Sequence, residues 1–149
     1  MSDTDQPLLQ SENLSVSVPG RLLVEGLDLT LRRGELLAVL GQNGTGKTLA
    51  LTTLAGLRTA HAGQVRLLGA DIAAMPRPSA ARHLVLLPQV IDDIFPATVM
   101  DTALIGPHPP IGRFRWESAA DRAIAARSLA TMGLLDLQER DILTLSGGE

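Results

Sequence analysis

The sequence predicts an α/β fold built around a phosphate-binding loop, and three adjacent features predict it. Gly41-Gln42-Asn43-Gly44-Thr45-Gly46-Lys47-Thr48 follows the pattern G-x-x-x-x-G-K-[ST]. Before it, Leu36-Leu37-Ala38-Val39-Leu40 is a continuous apolar run of strand length, as expected of a parallel strand buried on both faces. After it, Leu49, Ala50, Leu51, Leu54 and Ala55 recur at helical spacing until Gly56, which predicts a C-cap. Strand, glycine loop and helix is the setting in which this pattern cradles phosphate.

The remaining elements follow in order. Met1 to Gln10 is polar and is expected to fray. From Leu14 to Val18 and from Leu22 to Leu31 apolar and polar residues alternate, with Pro19-Gly20 between them, which predicts an antiparallel pair. Arg33-Gly34-Glu35 turns the chain into Leu36–Leu40. Gln64–Leu68 is a short strand between Ala62-Gly63 and Gly69-Ala70-Asp71; Pro76-Arg77-Pro78 breaks the chain before a short segment at Ser79–Arg82. Leu84-Val85-Leu86-Leu87 is a second buried-strand candidate, stopped by Pro88.

Beyond Gln89 the pattern becomes helical. Ala97–Ile105 predicts a short helix, and Gly106-Pro107-His108-Pro109-Pro110 a rigid loop. Glu117–Met132 is the strongest helix, with an apolar stripe of Ala119, Ala120, Ala123, Ile124, Ala126, Leu129, Ala130 and Met132 closed by Gly133. Asp136 is placed to cap a last short turn.

The loop's residue types state its chemistry. Recurring glycines let successive backbone N–H groups turn inward around phosphate oxygens. Lys47 is the only lysine among thirteen basic side chains, the rest being arginine. A compact ammonium reaches β- and γ-phosphates as a point charge, where a planar guanidinium would not fit the same space. The Thr48 hydroxyl is a Mg²⁺ ligand, and a helix opening near Gly46 aims its positive end at the polyphosphate. The predicted nucleotide site is therefore Gly41, Gln42, Asn43, Gly44, Thr45, Gly46, Lys47 and Thr48.

Composition excludes several other classes. At 149 residues and 45% apolar content the chain can bury a core. Its net charge of −3 and its few aromatics, Phe95, Phe114 and Trp116, carry no nucleic-acid signature. The absence of cysteine excludes disulfides, cysteine-ligated zinc and thiol catalysis. No signal-peptide pattern opens the sequence, and no run of about 18 apolar residues is present for direct membrane insertion.

Two further motifs narrow the family. Leu145-Ser146-Gly147-Gly148-Glu149 resembles the LSGGQ signature of ABC-type ATPases, and Leu86-Leu87-Pro88-Gln89 resembles their Q-loop. With the P-loop they occur in that family's order. The resemblance runs from about Leu14 to the last residue. Physically, Ser146 offers a hydroxyl and Gly147-Gly148 offer N–H groups with no Cβ to hold a phosphate oxygen away. The resemblance implies an α/β P-loop NTPase with an N-terminal antiparallel β subdomain and a helical subdomain, the C-terminal part of the core lying beyond this chain. It implies residues 1–88 as β subdomain and P-loop core, and residues 89–149 as Q-loop and helical subdomain up to the signature. It also implies that Ser146, Gly147 and Gly148 close over ATP held by a second nucleotide-binding subunit in a head-to-tail dimer. Gln89 is expected to touch Mg²⁺ or the attacking water.

The stretch Thr98–Gly106, with Pro110-Ile111-Gly112-Arg113-Phe114, Trp116-Glu117-Ser118 and Asp121-Arg122-Ala123, is similar to the ATPase subunits of bacterial importers for iron-siderophore, haem or cobalamin. That similarity implies docking on an integral membrane permease, with Val90 to Pro96 and Phe95 near it, and a cytoplasmic location peripheral on the inner face of the membrane. The transported solute is not encoded in these motifs.

Two departures from the family keep alternatives open. The aromatic that normally stacks on adenine is missing at Val18 and Pro19. No Asp-Glu pair occurs, and His61, His83 and His108 all precede the signature, so no catalytic residue is assigned. The 149-residue chain alone is expected to hydrolyse ATP negligibly. Either it is the N-terminal portion of an importer ATPase, or it is a catalytically inactive nucleotide-binding module. A non-transport cytosolic ABC ATPase and a small-molecule kinase are weaker alternatives, the first lacking basic patches and the second opposed by Leu145–Glu149.

Overall fold

The computed structural model describes residues 6–87, 96–105 and 118–146. They form two compact units that divide between Leu86 and Leu87.

The first unit is an antiparallel sheet with a helix against it. Strand β1 (Leu9–Val18) pairs with β2 (Arg21–Leu31) across the Pro19-Gly20 turn, in a register running from Leu9 opposite Leu31 to Val18 opposite Arg21. Strand β3 (Ala62–Leu67) pairs with the other edge of β1, and β4 (Ala70–Asp71) with β3, giving the order β2-β1-β3-β4. Helix α1 (Lys47–Leu54) follows the glycine loop, and α2 (Arg77–Ala80) is a single turn with Pro78 in its first turn. Leu14 and Val16 from β1, Leu54 from α1, Val65 and Leu67 from β3, and Ile72 form the buried core. Alternation in β1 sends these apolar residues to one face, and removing them from water is the main stabilising term.

Three expectations change here. Leu8 to Gln10 do not fray: Leu8 donates its N–H to the Leu31 carbonyl, and β1 begins at Leu9 because β2 and β3 offer ladder partners on both sides. Leu36–Leu40 is not a strand. Among the described residues no ladder pairs with it, and Leu36 and Leu40 are 96% and 89% exposed. Leu84–Leu87 is likewise unpaired, with Val85 85% exposed. Apolar runs of this kind are strands only when neighbouring strands take their N–H and C=O groups.

The second unit is helical. Helices α3 (Val99–Ile105) and α4 (Ala119–Met132) precede two 3-10 helices, Leu135–Leu137 and Ile142–Thr144. Val99, Met100, Leu104, Ala125 and Leu129 are its core, with Leu134, Leu137, Ile142 and Leu145 packed against them. Ser118 caps α4 in a reciprocal capping box with Asp121, and Gly133 ends it in the left-handed conformation at φ 72°.

The buried face of α4 is narrower than its sequence suggests. It runs through Ala125 and Leu129, whereas Ala119, Ala120, Ala123 and Ala130 are exposed and Ile124 and Met132 are 42% and 73% exposed. Alanine carries too little apolar area to determine which face turns inward. Asp136 does not cap; it lies inside the first 3-10 helix, and Asp141 caps the second through its bond from the Leu143 N–H. No helix among the described residues is long and apolar enough to cross a membrane.

Candidate functional site

The loop Gly41–Thr48 is brought together in the first unit by its own hydrogen bonds. The Lys47 ammonium donates to the carbonyls of Gly41 and Gln42, at 2.7 Å each, and the Thr45 hydroxyl donates to the Gln42 carbonyl at 2.9 Å. The Lys47 side chain thereby folds back onto the start of the loop, where both of its bonds are exposed. A Cβ on Gly41 would meet Thr45 Oγ1 at 3.1 Å, so a side chain there would crowd the same space.

Gly46 is the N-cap of α1 and has φ 95°, a conformation that glycine adopts without strain. It makes no side-chain cap, and the first turn of α1 holds no acidic residue. The N–H groups opening a helix have no intrahelical acceptor, and here no carboxylate competes for them. The N-terminus of α1 thus directly follows the loop whose Gly41 and Gln42 carbonyls hold the Lys47 ammonium. Thr48 stands exposed in that first turn, while Lys47 is half-buried.

One neighbour of the loop was not evident in the sequence. Leu23 of β2 lies against Gly46, so that a Cβ there would stand 3.0 Å from the Leu23 Cβ. The motif announces a glycine; which strand it packs on depends on tertiary contact. At the end of the same hairpin, Val18, Pro19 and Arg21 border an open recess with Arg58 and His61, and Arg58 donates to the Ser17 carbonyl.

The other predicted site residues divide. Gln89, Gly147 and Gly148 lie outside the described residues, as do Val90–Phe95. Ser146 is described, exposed, and belongs to the second unit. It follows the 3-10 helix Ile142–Thr144, which is tied to the start of α3: Thr98 and Asp141 form an antiparallel bridge, the Ile142 N–H donates to the Ala97 carbonyl, and the Val99 N–H donates to the Arg140 carbonyl. Arg140 also bonds Thr144 through its side chain. The structural roles of Arg140 and Thr98 are not legible in sequence, because they arise from a long-range pairing. Asp141, two residues before Leu143, carries the ordinary N-cap signal.

Asp101, at the start of α3, is held below the usual carboxylate range chiefly by a side-chain hydrogen bond with Thr98, and also by the Thr98 backbone N–H and by the charge of Arg122. No group of three or more His, Cys, Asp or Glu among the described residues is arranged to hold a metal ion.

The chain has relatives among known proteins in both sequence and fold. The chain is 41% identical over 143 residues to the hemin import ATP-binding protein HmuV of Deinococcus radiodurans, covering 96% of this chain and 53% of that protein. It is 33% identical over 141 residues to the cobalamin import ATP-binding protein BtuD of Halobacterium salinarum, covering 95% of this chain and 35% of that one. The chain thus spans about half the length of the first and about a third of the second. Its fold matches the crystal structure of a nucleotide-free ATP-binding cassette from an ABC transporter with a TM-score of 0.80, at 22% identity, over 95% of this chain and 60% of that one. The family model described as ABC transporter matches residues 24–149, and the chain belongs to that family.

Proposed function

We propose that this chain is the ATP-binding portion of an importer subunit, binding MgATP at Gly41–Thr48 and coupling that binding to uptake of a haem, cobalamin or iron complex. The observation that carries the proposal is the loop itself: Lys47 turned into a glycine cradle at the N-terminus of α1, in a chain whose relatives include hemin and cobalamin import ATP-binding proteins. The backbone N–H groups of residues 44–48 and the Lys47 ammonium hold the β- and γ-phosphates. To do so Lys47 exchanges its two carbonyl acceptors for phosphate oxygens, a stronger charge-assisted pairing.

Thr48 and Gln89 complete the surroundings of Mg²⁺, which neutralises phosphate charge when bound. Ser146, Gly147 and Gly148 meet the nucleotide of a second, head-to-tail copy. Residues 1–88 form the β subdomain and P-loop core, and residues 89–149 the Q-loop and helical subdomain, through which the subunit docks on an integral membrane permease at the cytoplasmic face. The base is held less firmly than the phosphates, because Val18 and Pro19 offer no aromatic face.

Equilibrium binding of a labelled ATP analogue to wild type and Lys47→Ala tests the phosphate site. The expected loss is at least tenfold in affinity with the fold unchanged by circular dichroism; unchanged affinity would refute the assignment. Co-purification with a membrane permease is expected for the importer role, and recovery with ribosomes would overturn it.

A further inference from the structure

The chain enters Ser146 through a turn closed on every side by hydrogen bonds. In the 3-10 helix Ile142–Thr144, Asp141 accepts the Leu143 N–H at 2.9 Å with its carboxylate, and its carbonyl accepts both the Thr144 N–H at 3.0 Å and the Thr144 hydroxyl at 2.7 Å. The Arg140 side chain then bridges to the far end, Nε donating to Thr144 Oγ1 at 3.1 Å and Nη2 to the Thr144 carbonyl at 3.0 Å. The Thr144 hydroxyl is therefore used as donor and acceptor at once, which fixes its orientation. The Arg140 fork satisfies a carbonyl that ends the helix, where no intrahelical donor remains.

The backbone of the same arginine is anchored in the opposite direction. Its carbonyl accepts the Val99 N–H at 3.0 Å, and the Gln138 carbonyl accepts the Met100 N–H at 2.9 Å. Arg140 thus joins the start of α3 to the last residue of the turn, two residues before Ser146. Both Arg140 and Thr144 are exposed, while the core of this unit is made by other residues. A guanidinium spent on orienting an exposed turn contributes little to global stability. Its value lies in geometry: a donor must stand within a fraction of an ångström of its phosphate oxygen to act.

We infer that Arg140 is a positioning residue for Ser146, its two bonds to Thr144 setting the direction in which Leu145–Ser146 leaves the turn. The inference rests on the proposed role of Ser146 against a partner's γ-phosphate. Three variants, Arg140→Ala, Thr144→Val and Thr144→Ser, are compared with Ser146→Ala for ATP turnover by the full polypeptide assembled with its transport partners. Binding of ATP to the chain's own P-loop and the thermal melt are measured alongside.

Arg140→Ala and Thr144→Val are expected to lower kcat about 10–100-fold, with KM, P-loop affinity and melting temperature almost unmoved, and Thr144→Ser to retain wild-type turnover. Turnover within twofold of wild type in Arg140→Ala, while Ser146→Ala is impaired, overturns the inference and leaves the role of Ser146 standing. Unchanged turnover in Ser146→Ala overturns the role of Ser146 and the inference with it. A loss of kcat that follows a lowered melting temperature, or that Thr144→Ser shares, also overturns it.

Discussion

Gly46 and Leu23 are in close contact: a Cβ on Gly46 would stand 3.0 Å from Leu23 Cβ and 3.3 Å from Leu23 Cδ1, so that Leu23 would have to give by a few tenths of an ångström. The glycine loop is thereby seated on β2 at the point where α1 begins. Gly46→Ala faces two penalties, the left-handed φ of 95° and this contact. Together they are expected to destabilise the protein by about 1–3 kcal/mol and to weaken ATP binding. Urea denaturation with and without Leu23→Gly separates the two, since alanine would keep the Cβ that makes the 3.0 Å contact. The double variant is expected to recover only the part due to the contact, because the backbone strain is unaffected.

Ser118 and Asp121 cap α4 reciprocally: the Ser118 Oγ accepts the Asp121 N–H at 3.2 Å and Asp121 Oδ2 accepts the Ser118 N–H at 3.0 Å. Ser118→Ala is expected to cost about 1 kcal/mol, read by urea denaturation monitored at the helical circular dichroism band. Ser118→Gly is expected to cost less, since glycine tolerates the N-cap backbone and leaves its N–H groups open to water.

Much of this architecture was legible because its signals are local. The β1–β2 hairpin is announced by Pro19-Gly20 between alternating runs, the start of α1 by the glycine loop, and the end of α4 by Gly133. What was illegible depends on partners far along the chain. Leu36–Leu40 has the composition of a buried strand, yet composition supplies no neighbour to accept its hydrogen bonds. The inward face of α4 was misjudged because its alanines look apolar in sequence while contributing little area. The hydrogen bonds of Thr45 and Lys47 within the loop are local in sequence, whereas the Arg140–Thr144 bonds and the Thr98–Asp141 bridge are consequences of packing α3 against the segment before Ser146.

Asp101 and Thr98 make the start of α3 sensitive to acid. Thr98 N–H donates to Asp101 Oδ2 at 3.0 Å, Asp101 N–H donates to Thr98 Oγ1 at 3.0 Å, and the Asp101 carboxyl is held below its usual range. A depressed carboxyl stabilises the folded form above its unfolded pKa and loses that contribution as pH falls through the folded value. Protection of the amides at 98–102 from hydrogen exchange is therefore expected to be level at neutral pH and to decline at pH values below the ordinary aspartate range, after correction for intrinsic exchange. In Asp101→Asn the decline is expected to vanish. Persistence of the same decline in that variant would assign it to other groups.

Leu36 and Leu40, at 96% and 89% exposure, present apolar side chains to water within five residues of each other, and Val85 is 85% exposed. Isolated exposed leucines are ordinary, but a run of them is a sticky surface. The 149-residue chain is expected to bind the dye ANS and to self-associate as its concentration rises, seen by fluorescence and by sedimentation velocity. Leu36→Glu with Leu40→Glu is expected to suppress both while changing stability by less than about 0.5 kcal/mol, because neither side chain is in the core. Leu14→Glu, at a residue with no exposed surface in the core of the first unit, is expected to abolish folding of that unit. Equal damage from the two kinds of substitution would mean that Leu36 and Leu40 are buried in solution, and a monomer that binds no dye would mean the same.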